Sequence, residues 1–582
     1  MTGRRISSAG ITPGPATLTF TYEGETIPAR AGESVGAALV AAGQLAMRQT
    51  RSGKDRGPFC GMGACHECLI MVGGATRRAC LEPVQNGLSV TRHRPRASMP
   101  AHVLSHAAKA PLSPDVLLVG AGPAGLAGAA VAARAGLSVL LVDERKMPGG
   151  QYFKQPSGQF ATDEAKLDVQ YRKGRKLIDE ARRAGVEIRA STTAAAPFED
   201  GLMLSDQDGL TLVKPRRTLL AAGASERAVP FPGWTLPGVM TTGAAQTFLR
   251  SDQIVPGQRV LIAGNGPLNL QLAAELLRAG VEVVALIEAA PQPRATDLGA
   301  LLRMAARSPD LVRDGIAYRA RVALSRVPVI HGHAVIRAEG EGRVARIVVA
   351  PIGADGTPDR LKERLFEADT LCVGMGFVPS SELARALSCQ HTHDQRWRFM
   401  KPVRDETGRS SRHDVFVAGD GAGFGGARIA EVSGRIAAAQ IVADLGARLS
   451  AEDVSAQAKW QAQRVGHQAF QTALWSLYRA PVLFDQLATP ETIICRCEEV
   501  ALRDIDTALA GGITALGALK RETRLGMGRC QGRTCATLAQ ERLAAATGRP
   551  LSDSDGFAPR PPLRPVTIGE IARLRVGEEE LS

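Results

Sequence analysis

The sequence contains no run of about eighteen apolar residues, so it offers no transmembrane helix. Aromatic residues are only 4% and no basic block exceeds a few residues, which sets aside nucleic-acid binding as a function. An Arg4-Arg5 pair stands near the start, but Thr12-Pro13-Gly14-Pro15 occupies the place where an export signal would carry its apolar core. The expected compartment is the cytoplasm, with peripheral attachment at the inner face of the plasma membrane left open. In that reducing setting ten cysteines do not read as a disulfide framework. None lies between Cys80 and Cys372, which excludes dithiol redox chemistry; Cys372 and Cys389 read as buried small hydrophobes. No His/Asp or His/Glu pair at a suggestive spacing marks an acid-base site, so the catalytic residues stay unknown.

What is present is a chain of 582 residues, long enough for about four domains, with ordinary globular composition and a formal charge of +13. The expected architecture is α/β with parallel sheets, because apolar runs alternate with Ala-rich helical stretches from Asp115 onward. The division reads as a disordered tail (1–15), a cysteine-bearing module (16–98) and a linker (99–114). A first nucleotide fold follows (115–245 and 360–445), with a second inserted in it (246–359). A helical linker (446–489), a second cysteine domain (490–550) and a Pro-rich tail (551–582) complete the chain.

Cys60-x4-Cys65-x2-Cys68, with Cys80 twelve residues later, has the plant-type spacing for a two-iron, two-sulfur cluster. Gly57, Gly61 and Gly63 let backbone N–H groups close on the sulfurs. Zinc usually pairs two Cys-x2-Cys knuckles, and only one pair is present. With the hairpin patterning of residues 17–32 and a short helix capped by Ser34, this segment resembles the β-grasp ferredoxin module. That resemblance implies single-electron transfer.

Gly120-Ala121-Gly122-Pro123-Ala124-Gly125 follows strand Val116 to Val119 and opens a helix. Gly120 permits the tight turn, Gly122 admits a pyrophosphate to the helix N-terminus, and Gly125 lets helix and strand pack. Asp143 is the expected ribose acceptor, with Glu144 as the alternative one residue on. The glycines alone leave FAD and NAD undecided. Three later segments resemble those of two-dinucleotide flavoprotein reductases: Met147 to Gln151 with Gly150 and Gln151, Thr218 to Gly223 ending in Ala222 and Gly223, and Val415 to Asp420 with Gly419 and Asp420. The resemblance implies FAD, with Asp420 on its ribityl chain.

The second nucleotide fold keeps Gly264 and Gly266, but Asn269 replaces the third glycine, and Glu288 comes one residue later than the matching acid. NAD(H) or another nucleotide there, and a domain kept for packing alone, both remain open. Cys495-x-Cys497 and Cys530-x4-Cys535 form two close pairs, for which zinc competes by spacing. The surrounding residues resemble bacterioferritin-associated ferredoxin, which implies a second two-iron, two-sulfur cluster. Arg496, Lys520, Arg521, Arg524, Arg529 and Arg533 lie in this segment, either as charge favouring a reduced cluster or as a solvated or partner-facing surface.

Over roughly residues 112–575 the assembly resembles the α subunit of multi-subunit flavoenzymes that oxidise amines and amino acids. These include opine oxidases, hydrogen cyanide synthase, heteromeric proline and hydroxyproline dehydrogenases, and sarcosine oxidase. The family often carries the small ferredoxin as a separate subunit; here it is fused in front. The resemblance implies a partner subunit like D-amino-acid oxidase with its own FAD, in some members an FMN at the subunit interface, and a quinone or other terminal acceptor. The contrasting expectation is a self-sufficient NADH-dependent flavin and iron-sulfur reductase.

Overall fold

A computed structural model describes residues 4–95, 109–198, 201–566 and 571. Its first module is a five-stranded sheet in the order Glu25–Ala29, Leu18–Tyr22, Ser89–Arg92, Leu69–Val72, Ala75–Arg78. The opening hairpin turns at Glu23-Gly24, both at positive φ, the geometry that matches strand twist, and pairs buried Phe20 with Ile27. Helix Val35–Ala41 lies wholly buried across this sheet, its start capped by Ser34 Oγ accepting from Ala37 N at 3.1 Å.

The expected disordered tail is instead packed from residue 4 onward. Strand Ile11–Thr12 pairs with Ala161–Thr162, Ile11 is 1% exposed, and Arg5 Nε reaches Glu33 at 2.8 Å. Buried Ile11, the Arg5–Glu33 pair and backbone bonds to Gln253 and Val255 hold a segment whose Thr-Pro-Gly-Pro composition suggests disorder. Residues 1–3 and most of the expected linker, 96–108, lie outside the described residues.

The first nucleotide fold is an all-parallel sheet in the order Glu187–Arg189, Val139–Val142, Val116–Val119, Arg217–Leu220, Val415–Val417. Helices Pro123–Arg134 and Ala427–Asp444 cross at small residues: a Cβ on Gly434 would sit 2.0 Å from Ala124 O. The second sheet, also parallel, runs Val239–Thr241, Thr370–Gly374, Arg259–Gly264, Glu282–Glu288, Val329–His331. Its limits correct the expected 246–359 insertion. Strands on both sides of that range belong to the second sheet, because Leu371 and Cys372 are buried within it and pair with Leu261 and Ile262. The true crossing is the antiparallel pair Ala224–Glu226 with Phe377–Pro379.

Helix Ala451–Trp475 leads to the second cysteine domain, a short hairpin (Ile493–Cys495 with Val500–Ala501) and helices Leu502–Ala510, Leu516–Thr523 and Ala536–Thr547. The Pro-rich segment returns to the first nucleotide fold, where Leu563 is 2% exposed and Arg564 Nε meets Glu144 at 3.1 Å.

Candidate functional site

Strand Val116–Val119 ends in Gly120 at φ +109°, where a Cβ would stand 2.3 Å from Ala221 O; only glycine fits. Gly122 begins the helix without a side-chain cap, and Pro123 fills a first-turn position whose N–H would be unpaired anyway. Gly125 lies beneath the loop, its Cβ position 1.8 Å from Gly120 O. Gly150 closes against Gly122, with a Cβ position 2.7 Å from the Gly122 Cα. Asp143 accepts from Ala121 N at 2.7 Å and Arg145 N at 2.8 Å, so it ties the glycine loop to the following turn. Glu144 instead takes Arg78 Nη1 at 2.9 Å and Arg564 Nε. Asp420 accepts from Gly425 N at 3.0 Å and Gly426 N at 2.8 Å, and burial raises its carboxyl above the usual range.

These residues share one cavity of about 990 Å³, lined by Gly120, Gly122, Pro123, Ala124, Asp143, Glu144, Gly150, Gln151, Ala222, Gly223, Gly419 and Asp420. The shape and chemistry suit a dinucleotide: capless helix amides at one point, buried carboxylates along the wall, and glycines wherever backbone must come close. Glu288 reaches the same cavity, whereas Gly264 and Gly266 are not among its lining residues. The register explains the late acid. A bulge between Val260 and Leu261 absorbs one extra residue, so Glu288 stands opposite Gly264 as Asp143 does beside Gly120. Glu288 accepts from Gly266 N and Ala290 N, and burial pushes its carboxyl up to about 8. Asn269, in the third-glycine position, bonds Gly374 O at 3.0 Å and Thr242 Oγ1 at 2.8 Å, stitching sheet to helix.

The cavity also holds groups without a sequence signal. Lys154, 3% exposed, donates to Gln246 Oε1 at 2.9 Å, and burial lowers its ammonium to about 7. Glu226 accepts from Gly243 N at 2.8 Å and is raised to about 7 by burial. They sit 72 positions apart in sequence and meet only through the fold. Phe377, Phe424, Trp475 and Tyr478 form an aromatic wall, with Phe377 and Phe424 stacked at 5.1 Å.

Cys60, Met62 and Ala64 line a further part of that wall. The Cys60 and Cys65 side chains neighbour one another, as do those of Cys68 and Cys80. Two pairs match two irons, each taking two thiolates. Gly61 and Gly63 bend the loop at φ +61° and +76°, and Cys65 N points to Cys60 Sγ at 3.4 Å. The second group pairs likewise, Cys495 with Cys535 and Cys497 with Cys530. Of the six basic residues around the second group, Arg496 is 2% exposed, Arg529 meets His93, Arg533 meets Glu382 and Lys520 lies over Phe557, while Arg524 meets Glu498 from an exposed position and Arg521 is exposed.

Residues 114–443 match the pyridine nucleotide-disulphide oxidoreductase family. This chain belongs to that family. Residues 15–95 match a 2Fe-2S iron-sulfur cluster binding domain, and residues 489–574 the sarcosine oxidase A3 domain. Among curated relatives, hydrogen cyanide synthase subunit HcnB of Pseudomonas aeruginosa is 34% identical over 466 residues, covering 79% of this chain and 98% of that protein. An opine oxidase subunit of Agrobacterium tumefaciens is 34% identical, covering 79% and 92%. The L-proline dehydrogenase of P. horikoshii shares the fold with a TM-score of 0.71 at 21% identity, covering 98% of this chain and 100% of that one. The chain is thus an FAD-dependent oxidoreductase carrying a 2Fe-2S domain, related to subunits of heteromeric enzymes. No described helix is long and apolar enough to cross a membrane.

Proposed function

We propose that this chain is the electron-transferring subunit of a heteromeric dehydrogenase acting on the C–N bond of an amino acid, opine or secondary amine. The observation that carries the reading is the shared wall: a cysteine loop and the dinucleotide cradle border one cavity. Gly120, Gly122 and the following helix amides would hold the FAD pyrophosphate, Asp143 or Glu144 the adenosine ribose, and Asp420 the ribityl chain. Bound FAD supplies the exchange between electron pairs and single electrons that this position needs. Cys60, Cys65, Cys68 and Cys80 would ligate one two-iron, two-sulfur cluster, and Cys495, Cys497, Cys530 and Cys535 a second. Amine chemistry belongs on a partner subunit like D-amino-acid oxidase, with an FMN at the subunit interface as in some relatives and a quinone or other acceptor at the far end.

Co-purification with mass spectrometry tests the division of labour. An oxidase-like partner, and flavin bleaching that requires both the partner and an amino acid, are the expected results. Bleaching of the isolated chain by NADH would instead establish a self-sufficient reductase. That second reading has its own support in Glu288, which lines the cavity at the register of a ribose acceptor.

A further inference from the structure

Glu67 lies between the ligand positions Cys65 and Cys68, and Arg496 between Cys495 and Cys497. These two residues, 429 positions apart, form an ion pair at 2.9 Å, with Glu67 0% and Arg496 2% exposed. Arg48 donates to Glu67 and also to the Arg496 carbonyl at 3.2 Å, and Arg56 stands 3.8 Å from the same carboxylate. The Arg496 guanidinium is further held by Trp234 O at 2.8 Å and sits over the rings of Phe59, at 4.1 Å, and Trp234, at 4.6 Å. Phe59 immediately precedes Cys60. A residue of the second cysteine loop is therefore seated inside the first.

The charge does not balance within this cluster of side chains. Three buried guanidinium groups face the Glu67 carboxylate, with Glu499 as a further carboxylate 3.9 Å from Arg56, so three positive charges meet two negative ones; Arg48 Nε and Arg56 Nε are buried without a hydrogen-bond partner. A buried cation surplus of this kind is costly unless anions lie alongside it. Arg48 lies within electrostatic reach of both Cys65 and Cys497, one ligand position from each group. An oxidised two-iron, two-sulfur centre with four thiolates carries about −2, the sign the surplus calls for. The cavity adds an order. Cys60 borders it, and no cysteine of the second group does.

We propose that Glu67 and Arg496 are positioning residues of a direct electron junction, locking the Cys495–Cys535 loop onto the Cys60–Cys68 loop. The order of stations along the chain is then the dinucleotide cradle, the first cysteine group and the second. This rests on the reading of the second group as a two-iron, two-sulfur site. From the Cys68 backbone through Glu67, one hydrogen bond and Arg496 to Cys495 or Cys497, the route crosses a single non-covalent contact. One electron crossing it oxidises one centre by one unit and reduces the other by one, with no bond made or broken and no proton moved.

The test uses full-length holoprotein, with iron and acid-labile sulfide measured per chain and electron paramagnetic resonance as the readout. In the wild type reduced fully by dithionite, the two cluster signals broaden each other. After reduction by one electron per chain and freeze-quenching, the electron is shared between them at the first time sampled. Glu67→Gln keeps both clusters but loses the mutual broadening and the rapid sharing; Arg496→Lys, which retains the charge, recovers part of both. Glu499→Gln serves as a control for the loss of a carboxylate charge: Glu499 stands 3.9 Å from Arg56 and accepts from Ser52 N at 3.2 Å across the same interface, but it is off the route. It leaves exchange unchanged. Wild-type exchange in Glu67→Gln with both clusters present overturns the junction, and so does an equal loss in Glu499→Gln. Iron for only one cluster in the wild type overturns the second-cluster reading itself, which the iron count distinguishes from failure of the junction. If Glu67→Gln loses its clusters, Arg496→Lys decides: unaltered exchange there counts against the pair.

Discussion

Replacing Gly125 by alanine tests whether the cradle depends on a close backbone approach. The new Cβ would lie 1.8 Å from Gly120 O, whereas such carbons do not come under 3.0 Å. The loop must therefore retreat by about 1.2 Å, in an interior packed too tightly to absorb it freely. Overpacking of this kind costs about 1–3 kcal/mol. The retreat also moves the Gly120–Gly122 amides, so the stabilisation that FAD confers, about 3 kcal/mol at a hundredfold excess over its Kd, is lost as well. Gly136→Ala is the matched control. Gly136 has φ +82° with nothing within 4 Å of its Cβ position, so alanine there costs about 1–2 kcal/mol of backbone strain and touches no ligand. The assay is the flavin-to-protein ratio after gel filtration, followed by fluorimetric FAD titration of the flavin-free protein. Gly125→Ala should emerge depleted of flavin and bind it weakly, while Gly136→Ala retains it. Full flavin occupancy with wild-type affinity in Gly125→Ala would refute the reasoning.

Cys535→Ser should lower iron from about four to about two per chain while FAD is retained, read by iron assay and the flavin spectrum. Ile11→Ala removes a fully buried apolar anchor of the N-terminal segment at a cost of about 2–5 kcal/mol, and limited proteolysis should then cut within residues 4–15. Lys154 and Glu226 predict opposite pH trends. The folded Lys154 releases its proton near 7 and the unfolded one near 10.5, so the unfolded chain holds more protons between these values and stability rises with pH there; Lys154→Met should flatten that rise. Glu226, at about 7 folded against 4.5 unfolded, makes the folded chain hold more protons, so its contribution falls as pH climbs from 4.5 to 7, and Glu226→Gln should remove that fall in denaturation curves.

The glycine loops were legible because each carries its own local signal, an apolar strand ending in residues that tolerate positive φ. The acid of the second fold, Glu288, could be named, but its spacing stood one residue late without a reason. A bulge changes the count along one strand while keeping its register, and spacing rules cannot see a bulge. The domain boundary failed for a different reason. Leu371-Cys372-Val373 is apolar on both faces, so periodicity marks it as a buried strand but cannot say which of two parallel sheets it joins. The N-terminal segment docks through contacts that composition does not count: Ile11 and Ile6 pack on the core, Arg5 pairs with Glu33, and the backbone bonds Gln253 and Val255.

The positive charge was the least legible feature, since a sequence gives its amount and not its place. Arg48, Arg56 and Arg496 are each at most 7% exposed, so part of the excess sits where ions in solution cannot screen it. Surface charge can be redistributed at little cost, but three guanidinium groups around one carboxylate have no such freedom. Glu499, 3.9 Å from Arg56, compensates one of these charges; the rest would fall to the two sets of cysteines on either side, as thiolates of the proposed clusters. The same thiolates are what iron requires as ligands. On the proposed reading of two clusters, cluster formation and docking of the two cysteine modules would therefore favour one another, each supplying charge that the other would otherwise bury alone. Fusing the first module to the chain keeps both halves of that interface at fixed stoichiometry.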